Sequence, residues 1–91
     1  MTNAVMDEER IDFPCHFPLK VMGLNQDDYP AFVLQVTQKH VQGISAADMH
    51  TRLSRNGKYI AVTITFDAQS REQLDALYRE LNACERTRWT L

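Results

Sequence analysis

Apolar and polar residues alternate from Phe17 onward. Phe17, Leu19 and Val21 fall on one side and Lys20 and Met22 on the other, the two-residue period of a strand. Phe13-Pro14 and Phe17-Pro18 mark an extended approach, because a residue before proline is pushed out of the helical region. Gly23 closes this first strand. The period then lengthens across DDYPAFVLQVTQKHV, where Tyr29, Phe32, Val33, Val36 and His40 recur at helical spacing and Gln35, Gln38 and Lys39 fall elsewhere. That predicts a first helix to about Val41, stopped by Gly43. Asp27 or Asp28 is expected to cap it, and Pro30 suits its first turn, where a missing N–H costs little. Residues 47–54, ADMHTRLS, alternate Met49, Thr51 and Leu53 against His50, Arg52 and Ser54, a second strand expected at a sheet edge.

Asn56-Gly57 is a hairpin signal, since both residues tolerate positive φ. The third strand follows it, with Ile60, Val62, Ile64 and Phe66 toward a core and Tyr59, Ala61, Thr63 and Thr65 away from it. SREQ at 70–73 reads as a capping box, and Leu74, Leu77, Tyr78 and Leu81 form a helical stripe ending near Asn82. In the terminal ERTRWTL, Thr87, Trp89 and Leu91 alternate with Arg86, Arg88 and Thr90, which predicts a fourth strand with the arginines on the outer side. The order β-α-β-β-α-β points to an α+β, ferredoxin-like sandwich. Its four-stranded antiparallel sheet has order 4-1-3-2, both helices cover one face, and the other face is open. Residues 1–12 are polar without a period and read as a tail, which leaves residues 13–91 as the domain.

Composition narrows the function classes. The 91 residues, 44% hydrophobic and 24% charged, suit one globular domain. A formal net charge of −2 counts against general nucleic-acid binding, which rests on surplus Lys and Arg. No apolar run approaches the ~20 residues of a membrane span, and MTNAVMDEERID lacks a signal peptide's basic and apolar regions. A cytoplasmic protein is expected. Cys15 and Cys84 precede antiparallel neighbours at opposite ends, roughly 20 Å apart at strand rise. That exceeds disulfide reach, so both read as free thiols.

Catalytic chemistry finds little purchase. Cys15-His16, His40 and His50 have no partners at metal-ligand spacing, and neither metal nor cofactor is expected. Ser45, Ser54 and Ser70 lie in no nucleophile motif. Acylphosphatases share this size and topology, but hold phosphate with an arginine after the first strand and an asparagine on the second. Here GLNQDDYP carries two acids and no arginine, and the second strand has no asparagine. An RNA platform wants two or three aromatics on the open face, where this reading places only Tyr59. That face also collects Lys20, Arg52, Arg86 and Arg88. Its candidate partner surface is Lys20, Tyr59, Ala61, Thr63, Thr65 and Arg88.

FPCHFPLKVMG, the helix after it, NGKYIAVTITF, the second helix and RTRWTL together closely resemble the small YbeD-like family of bacterial proteins. The resemblance spans about residues 13–91, and Trp89 and Thr90 depart from the family's usual aliphatic residues. It implies the same ferredoxin-like fold and a likeness to ACT-type regulatory domains, which bind amino acids or other small effectors and often dimerise through their sheets. It places the ligand by the loop after the first strand, here Met22, Gly23, Leu24, Asn25 and Gln26. It also hints at a regulatory link to lipoate metabolism. The expectation is a non-catalytic regulatory or binding domain, acting on a metabolite or protein partner and pairing as a homodimer. Acylphosphatase-like hydrolysis and RNA binding are the alternatives.

Overall fold

The computed structural model describes residues 12–90, so residues 1–11 of the expected tail and Leu91 lie outside it. Four strands and two helices follow the expected order: β1 Cys15–Leu24, α1 Tyr29–His40, β2 Met49–Leu53, β3 Tyr59–Ala68, α2 Arg71–Asn82 and β4 Thr87–Thr90. The antiparallel sheet has the order β2-β3-β1-β4. This is the ferredoxin-like arrangement. Leu19, Val21, Ile60, Val62, Ile64 and Phe66 of the sheet meet Tyr29, Val33 and Val36 of α1 and Leu74, Leu77 and Leu81 of α2 in one buried core. The buried Thr37 hydroxyl donates to the Val33 carbonyl at 2.8 Å, so it brings no unmet donor into that core.

Several boundaries differ from the expectation, each for a local reason. β1 begins at Cys15 and runs through Gly23 to Leu24, paired with β3 along all ten residues. Pro18 is accommodated because β4 pairs with β1 only between Val21 and Gly23, leaving Pro18 on a stretch where no second ladder needs its N–H. β2 begins at Met49 because Ser45 and Asp48 form a reciprocal capping box around a 3-10 turn at Ala46–Asp48. Neither acid caps α1 with its side chain. Asp28 holds the cap position without such a bond, and Asp27 and Asp28 take left-handed φ values of 50° and 52°, a conformation Asp tolerates better than most residues.

The hairpin is also built differently. The Gly57 N–H bonds to the Ser54 carbonyl, and the Ser54 N–H to the Tyr59 carbonyl. Only Gly57 takes positive φ, 76°. Asn56 serves through its side chain, whose Oδ1 accepts from the Lys58 N–H and the Ser54 hydroxyl. At α2, Ser70 caps as expected, accepting from the Gln73 N–H at 3.1 Å, but the Gln73 side chain reaches one residue further back to the Gln69 N–H. Ser70→Ala removes one of these bonds and is expected to lower stability by about 1 kcal/mol, measured by urea denaturation.

Candidate functional site

Pairing sets the open face. Lys20 of β1, Thr63 of β3 and His50 of β2 lie in one cross-strand row, with Met22, Ala61 and Arg52 in the next and Leu24 beside Tyr59 beyond it. These positions alternate with the buried Val21, Val62 and Ile60, so they point away from the helices. Ala61 and Thr63 are small. Between the longer side chains of Lys20, His50 and Arg52 they leave an open trough of about 270 Å³. Thr65 continues this face toward the His16 and Asp67 end.

β4 carries the main correction to the sequence reading. Gly23 pairs with Thr87 but Met22 pairs with Trp89, so the register shifts and passes Arg88 by. Such a bulge puts one extra residue into the strand and reverses which side chains share a face. Trp89, expected in the core, stands on the open face instead. Its ring meets Tyr59 edge-on across β1, with centroids 5.2 Å apart and planes at 73°, and it is 49% exposed. Lys58 Nζ lies 5.4 Å from the centre of the Tyr59 ring. Arg88, expected among the face residues, sits in the bulge.

Arg86 is drawn to the other side of β1. Its guanidinium donates to the Gln26 and Asp27 carbonyls, both at 2.9 Å, and lies over the Tyr29 and Phe32 rings. This ties down the loop where Met22–Gln26 had been the expected ligand segment. The Leu24 N–H bonds to the Arg86 carbonyl, the Asn25 N–H to the Lys58 carbonyl and the Gln26 N–H to the Leu24 carbonyl. The Asn25 side chain donates to the Gly57 carbonyl. The backbone N–H groups of Leu24, Asn25 and Gln26 are thus already engaged within the chain. The space that glycine opens at position 23 is filled by the Tyr29 ring.

A second concavity, of about 700 Å³, lies at the opposite end of the sheet, among His16, Asp67, Gln69, Gln73 and the segment from His40 to Ile44. Its polar groups largely satisfy one another: His16 pairs with Asp67 at 3.2 Å, and Gln73 donates to the His40 carbonyl at 2.9 Å. Among the described residues, no three His, Cys, Asp or Glu side chains gather to hold a metal ion. Cys15 and Cys84 are both free.

A family model described as "Protein of unknown function (DUF493)" matches residues 8–91. The chain belongs to this family. It is similar to a UPF0250 protein of Ralstonia nicotianae, 43% identical over 76 residues that cover 84% of this chain and 78% of the relative. A UPF0250 protein of Nitrosomonas europaea is 38% identical over 76 residues, covering 84% and 87%. One from Ectopseudomonas mendocina is 34% identical across the whole of both chains. The YbeD-like resemblance carried by FPCHFPLKVMG and NGKYIAVTITF thus holds at family level. Among the described residues of this DUF493 chain, no helix is long and apolar enough to cross a membrane.

The two helices are joined by a charged contact that residue spacing did not reveal. Glu80 on α2 accepts from Lys39 and from His40 Nε2 on α1, the latter at 2.9 Å. These bonds, Lys39 first and His40 second, hold the Glu80 carboxyl below its ordinary value of 4.5. A lowered folded-state pKa contributes stability that is whole above the ordinary value and is lost as the pH falls through the folded one. Wild type should therefore lose stability below about pH 4.5 more steeply than Glu80→Gln, as checked by urea midpoints from pH 6 to pH 3. The Glu80 side chain is 35% exposed, so the difference is expected to shrink in high salt.

Proposed function

We propose that this chain is a non-catalytic, ACT-like binding domain of regulatory type that engages its partner through the open face of the sheet. The observation that carries this reading is Trp89 beside Tyr59. A half-exposed tryptophan packed on a second aromatic, next to a small-floored trough edged with cations, is the composition of an interaction surface and not of a solvated strand. The interior does not need Trp89, because the helices already cover the opposite face.

The loop Met22–Gln26 is the lesser place for an effector, because its donors are engaged internally. A thermal-shift screen of amino acids, lipoate and octanoate tests it, and a saturable shift with one of them would move the site there. RNA binding gains a second ring in Trp89 but still faces a chain of net charge −2.

The surface reading is tested by capture from an extract of the source bacterium with wild type and with Tyr59→Ala/Trp89→Ala as paired baits. Partners held by wild type should be lost by the double variant, while its urea midpoint changes little. Equal recovery by both baits would remove the face from consideration. Each ring is expected to contribute about 2 kcal/mol to partner binding.

A further inference from the structure

We infer that the occupant of the open face is an acidic amphipathic helix of a partner protein, laid along the trough between Lys20 and Arg52. This rests on the reading of that face as the working surface and adds the partner's shape and charge.

Shape follows from what a sheet face offers. The inner strands have their backbone groups in ladders, so a ligand lying on the face meets side chains only. An extended peptide needs a free strand edge for its own N–H and C=O groups, whereas a helix arrives with these already paired. The dimensions agree. Lys20 stands on β1 and Arg52 on β2, with Ala61 and Thr63 on β3 between them. Two strand spacings make about 10 Å, close to the width of a helix with its side chains. The small residues let the helix settle onto the sheet, and Trp89, on β4 beyond Met22 of β1, offers an exposed apolar ring on the same face.

Charge comes from the distribution. The chain carries 12 acidic against 10 basic residues, yet the charged residues that edge the trough are Lys20 and Arg52. Asp67, an acid on the same face, lies at its far end and is paired with His16. Two local cations, Lys20 and Arg52, match a few carboxylates flanking an apolar stripe. They are too few to hold a nucleic-acid backbone against the field of an acidic protein. A second copy laid face to face across the trough would set Lys20 and Arg52 against their own counterparts, which repels.

The test uses the full chain and a displayed library of helical peptides of about five turns. The apolar stripe is fixed and the flanking positions vary among Glu, Lys, Ser and Ala. Glutamate should be enriched on both flanks. The selected peptide should then shift the emission of Trp89, the chain's one tryptophan. Lys20→Glu/Arg52→Glu should weaken binding about tenfold or more, and a peptide with lysines on its flanks should restore it. Basic or neutral flanks, or an oligouridylate that shifts Trp89 emission at lower concentration than any peptide, would overturn the inference. So would a Trp89 shift that follows protein concentration alone, the mark of a second copy. Ala61→Arg, which fills the floor, separates the two levels. Unchanged peptide affinity in that variant sinks the surface itself, whereas its loss together with basic flanks sinks only the charge assignment.

Discussion

Gly23→Ala is expected to lower the stability of the folded chain by about 3 kcal/mol, read as a fall in the urea midpoint at unchanged slope. A Cβ at this position would lie 2.5 Å from Cζ of Tyr29 and 2.7 Å from the Arg86 carbonyl oxygen. Neither neighbour has room to give. The Tyr29 ring is fully buried, and its hydroxyl is held by Thr87 Oγ1 at 2.7 Å. The Arg86 carbonyl accepts from the Leu24 N–H at 2.8 Å. Overpacking here therefore pushes on a helix and a strand at once. The same close approach lies beside the bulge that turns Trp89 outward, so the variant should also alter Trp89 emission before it unfolds. Gly57→Ala is the contrast. It meets no atom within 4 Å but must hold φ +76°, a backbone cost of about 1 kcal/mol.

Tyr29→Ala is expected to cost about 4 kcal/mol, the range for deleting a buried aromatic and leaving its void. Tyr29→Phe should cost about 1 kcal/mol, because it removes only the hydroxyl bonded to Thr87. The pair separates packing from hydrogen bonding. It also carries a pH signature. Burial raises the Tyr29 phenol above its ordinary value of 10.0, against the lowering pull of the Thr87 bond. A raised folded-state pKa means stability that is present below the ordinary value and is lost as the pH rises through the folded one. Wild type should weaken above about pH 10, and Tyr29→Phe should weaken less over the same range. Tyr78, whose phenol burial also raises, keeps part of the effect in the variant. Gly23→Ala should cost less in the Tyr29→Ala background, since the ring it strikes is gone. Additive costs would show that the clash lies with the Arg86 carbonyl instead.

The candidate site was legible only in part. Tyr59, Ala61, Thr63 and Lys20 were readable as face residues because each alternates with a core residue on its own strand. The trough among them was not, because it depends on which residues of β1 and β2 flank Ala61 and Thr63. Arg86 gave no local signal at all: the carbonyls it binds lie 60 and 59 residues earlier in the chain. The contact of Glu80 with Lys39 and His40 is equally remote in sequence.

By itself the amino-acid sequence determined the element types, their order and the core. A strand's two-residue period and a helix's 3.6-residue period are local properties, and burying one face is enough to write them. It also specified Ser70 as a cap, since that bond spans three residues. Tertiary structure alone decided the face on which Trp89 stands. On a strand, one extra residue exchanges inside for outside. The insertion shows only in how β4 pairs with β1, where Gly23 meets Thr87 but Met22 meets Trp89, a pairing between the two ends of the chain that no stretch of β4 records.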